Sequence, residues 1–546
     1  MIIYKYSSIL SCLLALPLIG ALVLALLPAK RTRLIRNSAL AVLAGMLAIL
    51  FAAAALYNWR AGAAPPAGSV SLPDRSGGVF DLWQLRQSFT WLAPLGLHFS
   101  LAANGLSLVL MLLLGGANFL AALASYGIDS QVKTYFIMLL LLAALTTGAL
   151  AATDLGLFCA CSALTVLPAY FLAGLWGGEG RRPAAMKFAL FGLFGSVAML
   201  VALLAIVFCT RRIGSSPAQA LNLMRLTSPT ASAAWQSLTG LWPLAEQGAF
   251  WLLLAAAATR LGAAAVHLWV PDLLGEAAAP AAMALISSQI IVGAYTLLAV
   301  VLPMFPAPAA HYQLILALAA AGGSLYAALC ALAQSDLRRG IAYWLVAQSG
   351  LILLAALAGS VWTWQGAVLL VNGDVWTLLS LLWISHVLER RTGHRDVNRL
   401  GGLAQLMPGL FSFSLVGLLS AMATPGLALF PAVLLLLAGL VGAAYHSPAA
   451  AAGLWGLSSG FWWLIFAAAS GAALVLLAAN LLWIIERVFL GRPRPEHLHV
   501  VRLTGSEKAV FVILTLAILV GGIFPAVLLL DPIHNMVQYL VNIAAG

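Results

Sequence analysis

Thr259-Arg260-Leu261-Gly262, followed by His267-Leu268-Trp269-Val270-Pro271-Asp272 and then Glu276, gathers a cation, an imidazole and two carboxyl groups in a segment otherwise apolar enough for lipid. Charges in hydrocarbon are costly and rarely face lipid, so ionisable groups there mark functional paths. Histidine and carboxyl groups can pass protons near neutral pH. Arginine keeps its charge and cannot. The chemistry open to this set is proton transfer or a fixed electrostatic field, and the proline beside Asp272 predicts a helix that breaks next to it.

A second candidate acid is Asp374, in Asn372-Gly373-Asp374-Val375-Trp376, deep in an apolar run and without a partner nearby in sequence. Buried carboxyl groups are neutralised or paired, so the expectation is that Asp374 faces the same interior as Arg260 and offsets its charge. A second break is expected at Thr424-Pro425-Gly426. Unwound backbone at membrane depth is tolerated only where protein or water satisfies it, and broken helices point to a transport path.

Metal chemistry is not expected. Cys12, Cys159, Cys161, Cys209 and Cys330 all fall in apolar helices and read as small hydrophobic residues, and the histidines lack ligand spacing.

The elements that must position these groups follow from composition. With 63% hydrophobic and 8% charged residues over 546 positions, the chain cannot form a soluble globule. It reads as an all-α polytopic membrane protein. Apolar runs long enough to span a bilayer recur at 8–27, 36–58, 101–126, 134–152, 154–176, 185–209 and 248–270. They continue at 277–303, 312–333, 340–360, 364–388, 407–445, 457–487 and 508–530, about 14 helices in all.

Net charge is +11, yet the placement of Lys and Arg matters more than their sum. Most fall in alternate loops, around Lys30–Arg36, Lys133, Arg181–Lys187, Arg338–Arg339, Arg390–Arg399 and Arg487–Lys508. This puts those loops inside and the N-terminus outside. Residues 1–29 are read as an uncleaved first helix rather than a signal peptide, because Lys30-Arg31-Thr32-Arg33 follows at once. Loops 59–100 and 210–247 read as outward covers rather than domains.

These residues carry a resemblance. Pro168-Ala169-Tyr170-Phe171-Leu172-Ala173-Gly174-Leu175-Trp176-Gly177-Gly178 with Lys187-Phe188, the stretch from His267 to Glu276, Ala333-Gln334-Ser335-Asp336-Leu337-Arg338-Arg339 with Ala342-Tyr343, and Arg395 to Leu403 look like the antiporter-like membrane subunits of respiratory complex I. The likeness is strongest to subunit M, or chain 4, and runs through most of the chain. It implies two inverted five-helix repeats, each with a broken helix: residues 1–126 form the first three helices, 127–303 one repeat, 304–487 the other, and 488–546 an inward loop and last helix. It also implies proton translocation along a polar line at the membrane midplane.

Carried over residue by residue, most of that line is missing. The family's paired glutamate falls at Ala163 and its lysine partner at Arg260, while a further lysine falls at Ile291. Two histidine positions fall at Gln348 and Asn372, and the acid beyond the second break falls near Val433. Amides hold water without taking charge, so the resemblance implies a polar axis of Arg260, His267, Asp374, Asn372, Gln348 and Lys187 whose own channel is impaired or rerouted.

Blander roles stand beside these. Lys187 reads equally as a headgroup-snorkelling lysine or a remnant of a proton entrance, and His267 as a cavity or a packing histidine. Asp272 and Glu276 read as caps of the second half-helix. Asp336, Arg338 and Arg339 read as a solvated loop or a functional one, and Glu389, Arg390 and Arg391 as an orientation cluster.

No nucleotide loop, iron–sulfur pattern or flavin fingerprint is present in the sequence. Flavin, iron–sulfur and quinone chemistry is therefore expected in partner subunits of the membrane arm, with lipid and not nucleic acid as the other surroundings. The expected function is that of a subunit of a translocating NADH:quinone oxidoreductase in the inner (plasma) membrane. The rival readings are a cation/proton antiporter or membrane-bound hydrogenase subunit, and a structural spacer.

Overall fold

A computed structural model describes residues 8–59, 82–92, 97–212, 221–228, 242–446, 453, 455, 457–494 and 503–544. Much of both expected outward covers, including Pro65-Pro66 and Gly77-Gly78, lies outside the described residues.

The helices are α1 (Ile9–Leu26), α2 (Thr32–Leu56), α3 (Gly105–Ala124), α4 (Val132–Ala151), α5 (Leu155–Leu164), α6 (Val166–Leu175) and α7 (Arg181–Arg212). Next come α8 (Trp242–Leu261), α9 (Trp269–Glu276), α10 (Ala279–Tyr295), α11 (Pro306–Leu332), α12 (Leu337–Leu357) and α13 (Val361–Thr392). The chain ends with α14 (Pro408–Ala421), α15 (Leu429–His446), α16 (Ser459–Ile484), α17 (Gly505–Ile523) and α18 (Asp531–Ala544).

Among the described residues, 13 helices are long and apolar enough to cross a membrane. The fourteenth expected span, 248–270, is divided between α8 and α9. The core is built on α10, α12 and α13, buried nearly all round, while α1, α2, α7 and α15 turn most of their apolar surface outward. A helix apolar on every side is what a lipid-facing or bundle-centre position requires.

Four boundaries differ from expectation. The 101–126 span starts late because Leu97–Ala103 (β2) pairs antiparallel with Gln84–Leu92 (β1). The run Leu101-Ala102-Ala103 is apolar enough to merge by eye with the helix after it, but Asn104 ends the strand, its side chain accepting from Ser107 N at 2.7 Å. The 154–176 span is interrupted at Thr165, three residues before Pro168, which has no N–H to return to Leu164. The 407–445 span is two helices.

The last expected helix, 508–530, ends at Ile523 ahead of Phe524-Pro525. The amphipathic α18 then lies across the end of the bundle that carries the β-hairpin. Its Asn535 Nδ2 donates to Trp59 O at 3.3 Å, and a Cβ on Gly105 would sit 2.8 Å from Pro532 O.

At the opposite end the charged loops lock together. Arg338 Nη2 meets Glu389 Oε2 at 2.8 Å, Arg395 Nε meets Glu389 Oε1 at 2.6 Å, and Arg391 Nη2 meets Glu507 Oε2 at 2.6 Å. Arg338 is 3% exposed, which excludes the solvated-loop reading for it, while Arg339 is exposed and Asp336 half-buried. It also donates to Ala277 O at 2.8 Å, and Arg395 donates to Gly275 O, so α12 and α13 are tied to the turn after α9.

Candidate functional site

The first break is made by Gly262, not Pro271. α8 stops at Leu261 because Gly262 takes φ +69°, a left-handed value that glycine adopts without a Cβ penalty. Pro271 sits in the first turn of α9, where its missing N–H costs no helical bond. The unwound carbonyls are satisfied locally, as burial demands: Trp269 Nε1 donates to Thr259 O at 3.1 Å, and Ser349 Oγ of α12 donates to Leu261 O at 2.6 Å. Gly293 of α10 makes room, since a Cβ there would lie 3.0 Å from Leu261 N.

Arg260, 5% exposed, projects from the last turn of α8, where the helix dipole favours a cation. Its Nη2 donates to Ser162 O at 2.6 Å, and its Nη1 donates to Thr165 Oγ1 at 3.3 Å and Gln289 Oε1 at 3.0 Å. The kink between α5 and α6 thus turns Ser162 O and Thr165 toward the guanidinium. Every one of these acceptors is neutral.

The expected Arg260–Asp374 ion pair is not formed. Asp374 is fully buried, and both its carboxyl oxygens lack a hydrogen-bond partner among the described residues. The same holds for both polar atoms of Gln348 on α12. Asn372, two residues before Asp374, lies on another face of α13: a Cβ on Gly521 of α17 would sit 3.6 Å from its Oδ1.

At the second break α14 ends at Ala421, and Ala423 (φ +55°) and Gly426 (φ +87°) carry the chain to α15. Pro425 and Gly426 stand within this break as expected. Trp344 Nε1 of α12 donates to Ala421 O at 3.2 Å, and Thr377 Oγ1 of α13 lies 2.8 Å from Ser420 Oγ.

Other expected site residues fall elsewhere. Lys187 Nζ and Asp272 Oδ2 form an ion pair at 2.6 Å with side chains 40% and 38% exposed, so Lys187 neither snorkels alone nor enters the buried axis. Glu276 is the last residue of α9, not at its N-terminus; its Oε2 accepts from Gly180 N at 3.0 Å, just before α7. His267 shares a 2.5 Å contact between Nδ1 and Ala264 O and packs edge-on against Tyr326. Ala163 and Val433 are partly buried and Ile291 is fully buried.

Sequence reasoning missed Gln289, Ser162 and Thr165 as Arg260 ligands. Gln289 was the detectable one, because it is the only carboxamide in the 277–303 span.

Two interrupted helices meeting a buried cation and a buried acid define a membrane protein of the antiporter-like class. The family described as NADH:quinone oxidoreductase/Mrp antiporter, TM, matches residues 152–456, and the chain belongs to it. It is 30% identical over 519 residues to an NAD(P)H-quinone oxidoreductase chain 4 of Synechococcus sp. (strain JA-3-3Ab), covering 94% of this chain and 90% of that one.

Among solved structures, a chain of respiratory complex I from Thermus thermophilus superposes with TM-score 0.77 at 24% identity, covering 98% of this chain and all of that one. A chain of the Mrp complex from Dietzia sp. gives TM-score 0.73 at 19% identity over 99% of this chain and 52% of its own. These two likenesses concern the fold.

Proposed function

We propose that this chain is a chain-4-like membrane-arm subunit of an NAD(P)H:quinone oxidoreductase assembly, and that its own transmembrane proton line is interrupted in the first half. The observation that carries this reading is Arg260 held by Ser162 O, Thr165 and Gln289, with no carboxylate partner among the described residues. A guanidinium does not release its proton at working pH. With Ala163 and Ile291 at the other carrier positions implied by the resemblance, none of those three positions in the first half can exchange one.

The chain then contributes a sealed span that keeps its neighbours in register, while flavin, iron–sulfur and quinone sites belong to partner subunits. The basic loops at the Arg338–Glu389 end support an inward orientation for that end and, with it, an N-terminus outside the plasma membrane. The two broken helices, α8–α9 and α14–α15, support two inverted repeats.

The test is the number of protons moved per electron pair by the purified assembly in sealed vesicles. Replacing Arg260 by Met should leave that ratio unchanged wherever the assembly remains intact. A drop of one proton per electron pair with unchanged quinone reduction would overturn the reading.

A further inference from the structure

The second break holds polar groups that the first-half lock does not use. Trp344 of α12 and Thr377 of α13 both touch the end of α14, at Ala421 and Ser420. Gln348 is one turn beyond Trp344, and Asp374 is one turn before Thr377. Because α12 and α13 run antiparallel, both steps go the same way, away from α14 and toward the unwound segment 422–428.

Depth agrees. The hairpin between the two helices is closed where Trp364 Nε1 donates to Ala356 O at 2.8 Å. At about 1.5 Å of rise per residue, Gln348 lies roughly 12 Å and Asp374 roughly 15 Å below that contact. Gly373 brings α13 against the break itself, since a Cβ there would meet Ala428 O at 3.1 Å.

Both side chains are fully buried, and all four of their polar atoms lack partners among the described residues. Buried polar groups are almost always satisfied, and a polar site bounded by several such groups is where a water molecule binds. The nearest cation in depth is Arg260, whose neighbour Leu261 accepts from Ser349, but its guanidinium is held by Ser162 O, Thr165 and Gln289. Among the described residues, α3, α10 and α14 carry no charged side chain, and α12, α15, α17 and α18 carry charged or imidazole groups only toward their ends, as at Arg338, His446, Glu507 and His534. The phenols of Tyr343 and Tyr295 pack on His267 and Phe158.

We propose that Asp374 and Gln348 form a water-bridged proton-holding site at the second helix break, a carrier relocated from the positions now occupied by Ala163, Ile291 and Val433. The carboxyl O–H gives its proton to water at the break, leaving a carboxylate that the Gln348 amide N–H stabilises, and takes a proton back by the reverse step. An isolated buried carboxyl group is held neutral by its surroundings. The site therefore rests loaded.

This inference rests on the family reading but is tested apart from turnover. Infrared spectra of the resting, purified assembly are recorded in H2O and D2O for the native chain, Asp374→Asn and Gln348→Leu. The expected result is a protonated-carboxyl C=O band that shifts with deuterium, vanishes in Asp374→Asn and moves in Gln348→Leu.

Absence of that band, a band that does not exchange with deuterium, or a band indifferent to Gln348→Leu would overturn the site. Loss of the band on adding sodium, but not choline, would make it a cation site and overturn it too. If Asp374→Asn fails to assemble, the Gln348→Leu shift decides alone. A normal pumping ratio in Arg260→Met bears on the proposed function and not on this band.

Discussion

Arg260 donates through Nη1 to Gln289 Oε1 at 3.0 Å, across the gap between the last turn of α8 and the middle of α10. The bond joins a permanent charge to a neutral amide. A guanidinium among neutral acceptors is a fixed charge, and the interior keeps its cation by dividing it among a kinked backbone, a hydroxyl and a carboxamide.

Arg260→Lys is expected to weaken the assembly. The single ammonium cannot reproduce the planar fork that reaches Ser162 O and Gln289 Oε1 together, so at least one buried acceptor is orphaned, at about 1–3 kcal/mol. Thermal unfolding of the detergent-purified assembly checks this. An unchanged melting temperature would mean that the three acceptors do not hold Arg260 in place.

The Arg338–Glu389 contact invites a double-mutant cycle. Arg338 is 3% exposed and Glu389 lies between it and Arg395, so Arg338→Met leaves Glu389 paired with Arg395 alone and orphans the buried Ala277 O, at about 1–3 kcal/mol. The double change Arg338→Met with Glu389→Gln is expected to recover part of that loss. Chain abundance in membranes reads the order of the three variants, and simple additivity would sink the idea.

Lys187 and Asp272 should matter much less to stability. Their side chains are 40% and 38% exposed, and an ion pair that open contributes about 0.2–1 kcal/mol and is screened by salt. Asp272→Asn is expected to lower the unfolding temperature slightly at low ionic strength and not at high. A large loss at both would assign Asp272 a role beyond the pair.

How much of this was legible in the sequence follows from what kind of signal each feature left. Helix number and the second break were written in long apolar runs and in Pro425-Gly426, which lipid and backbone geometry read directly. Arg260, Gln348 and Asp374 stood out because polar groups are scarce in those runs. The partner of Arg260 was misread because sequence shows which charges exist, not which faces meet. Asp374 was the only free acid in view, whereas the actual acceptors are a backbone carbonyl released by a kink, a threonine and a glutamine. The first break was assigned to Pro271 when Gly262 makes it, since proline at a helix start and proline inside a helix look alike in one dimension. The charged loops were undervalued for the same reason: only packing shows that Arg338 is buried.

Gly262 gives the most direct test of how the first break is built. Its φ of +69° costs an ordinary residue about 1–2 kcal/mol. A Cβ there would also lie 2.5 Å from Val270 Cγ2, a contact real side chains do not make, so Val270 must rotate within its buried site or α9 must shift. That shift would pull Trp269 Nε1 from Thr259 O and disturb the turn that aims Arg260 at Ser162 O. Gly262→Ala is therefore expected to cost more than the backbone figure alone. Gly471, inside α16 with nothing within 4 Å of its Cβ position, is the control. Gly471→Ala should be neutral or stabilising by roughly 0.5–1 kcal/mol, because alanine is the better helix former. Equal melting temperatures for the two variants would show that the break tolerates a side chain at Gly262, and that Pro271 or the Ser349 hydrogen bond holds it instead.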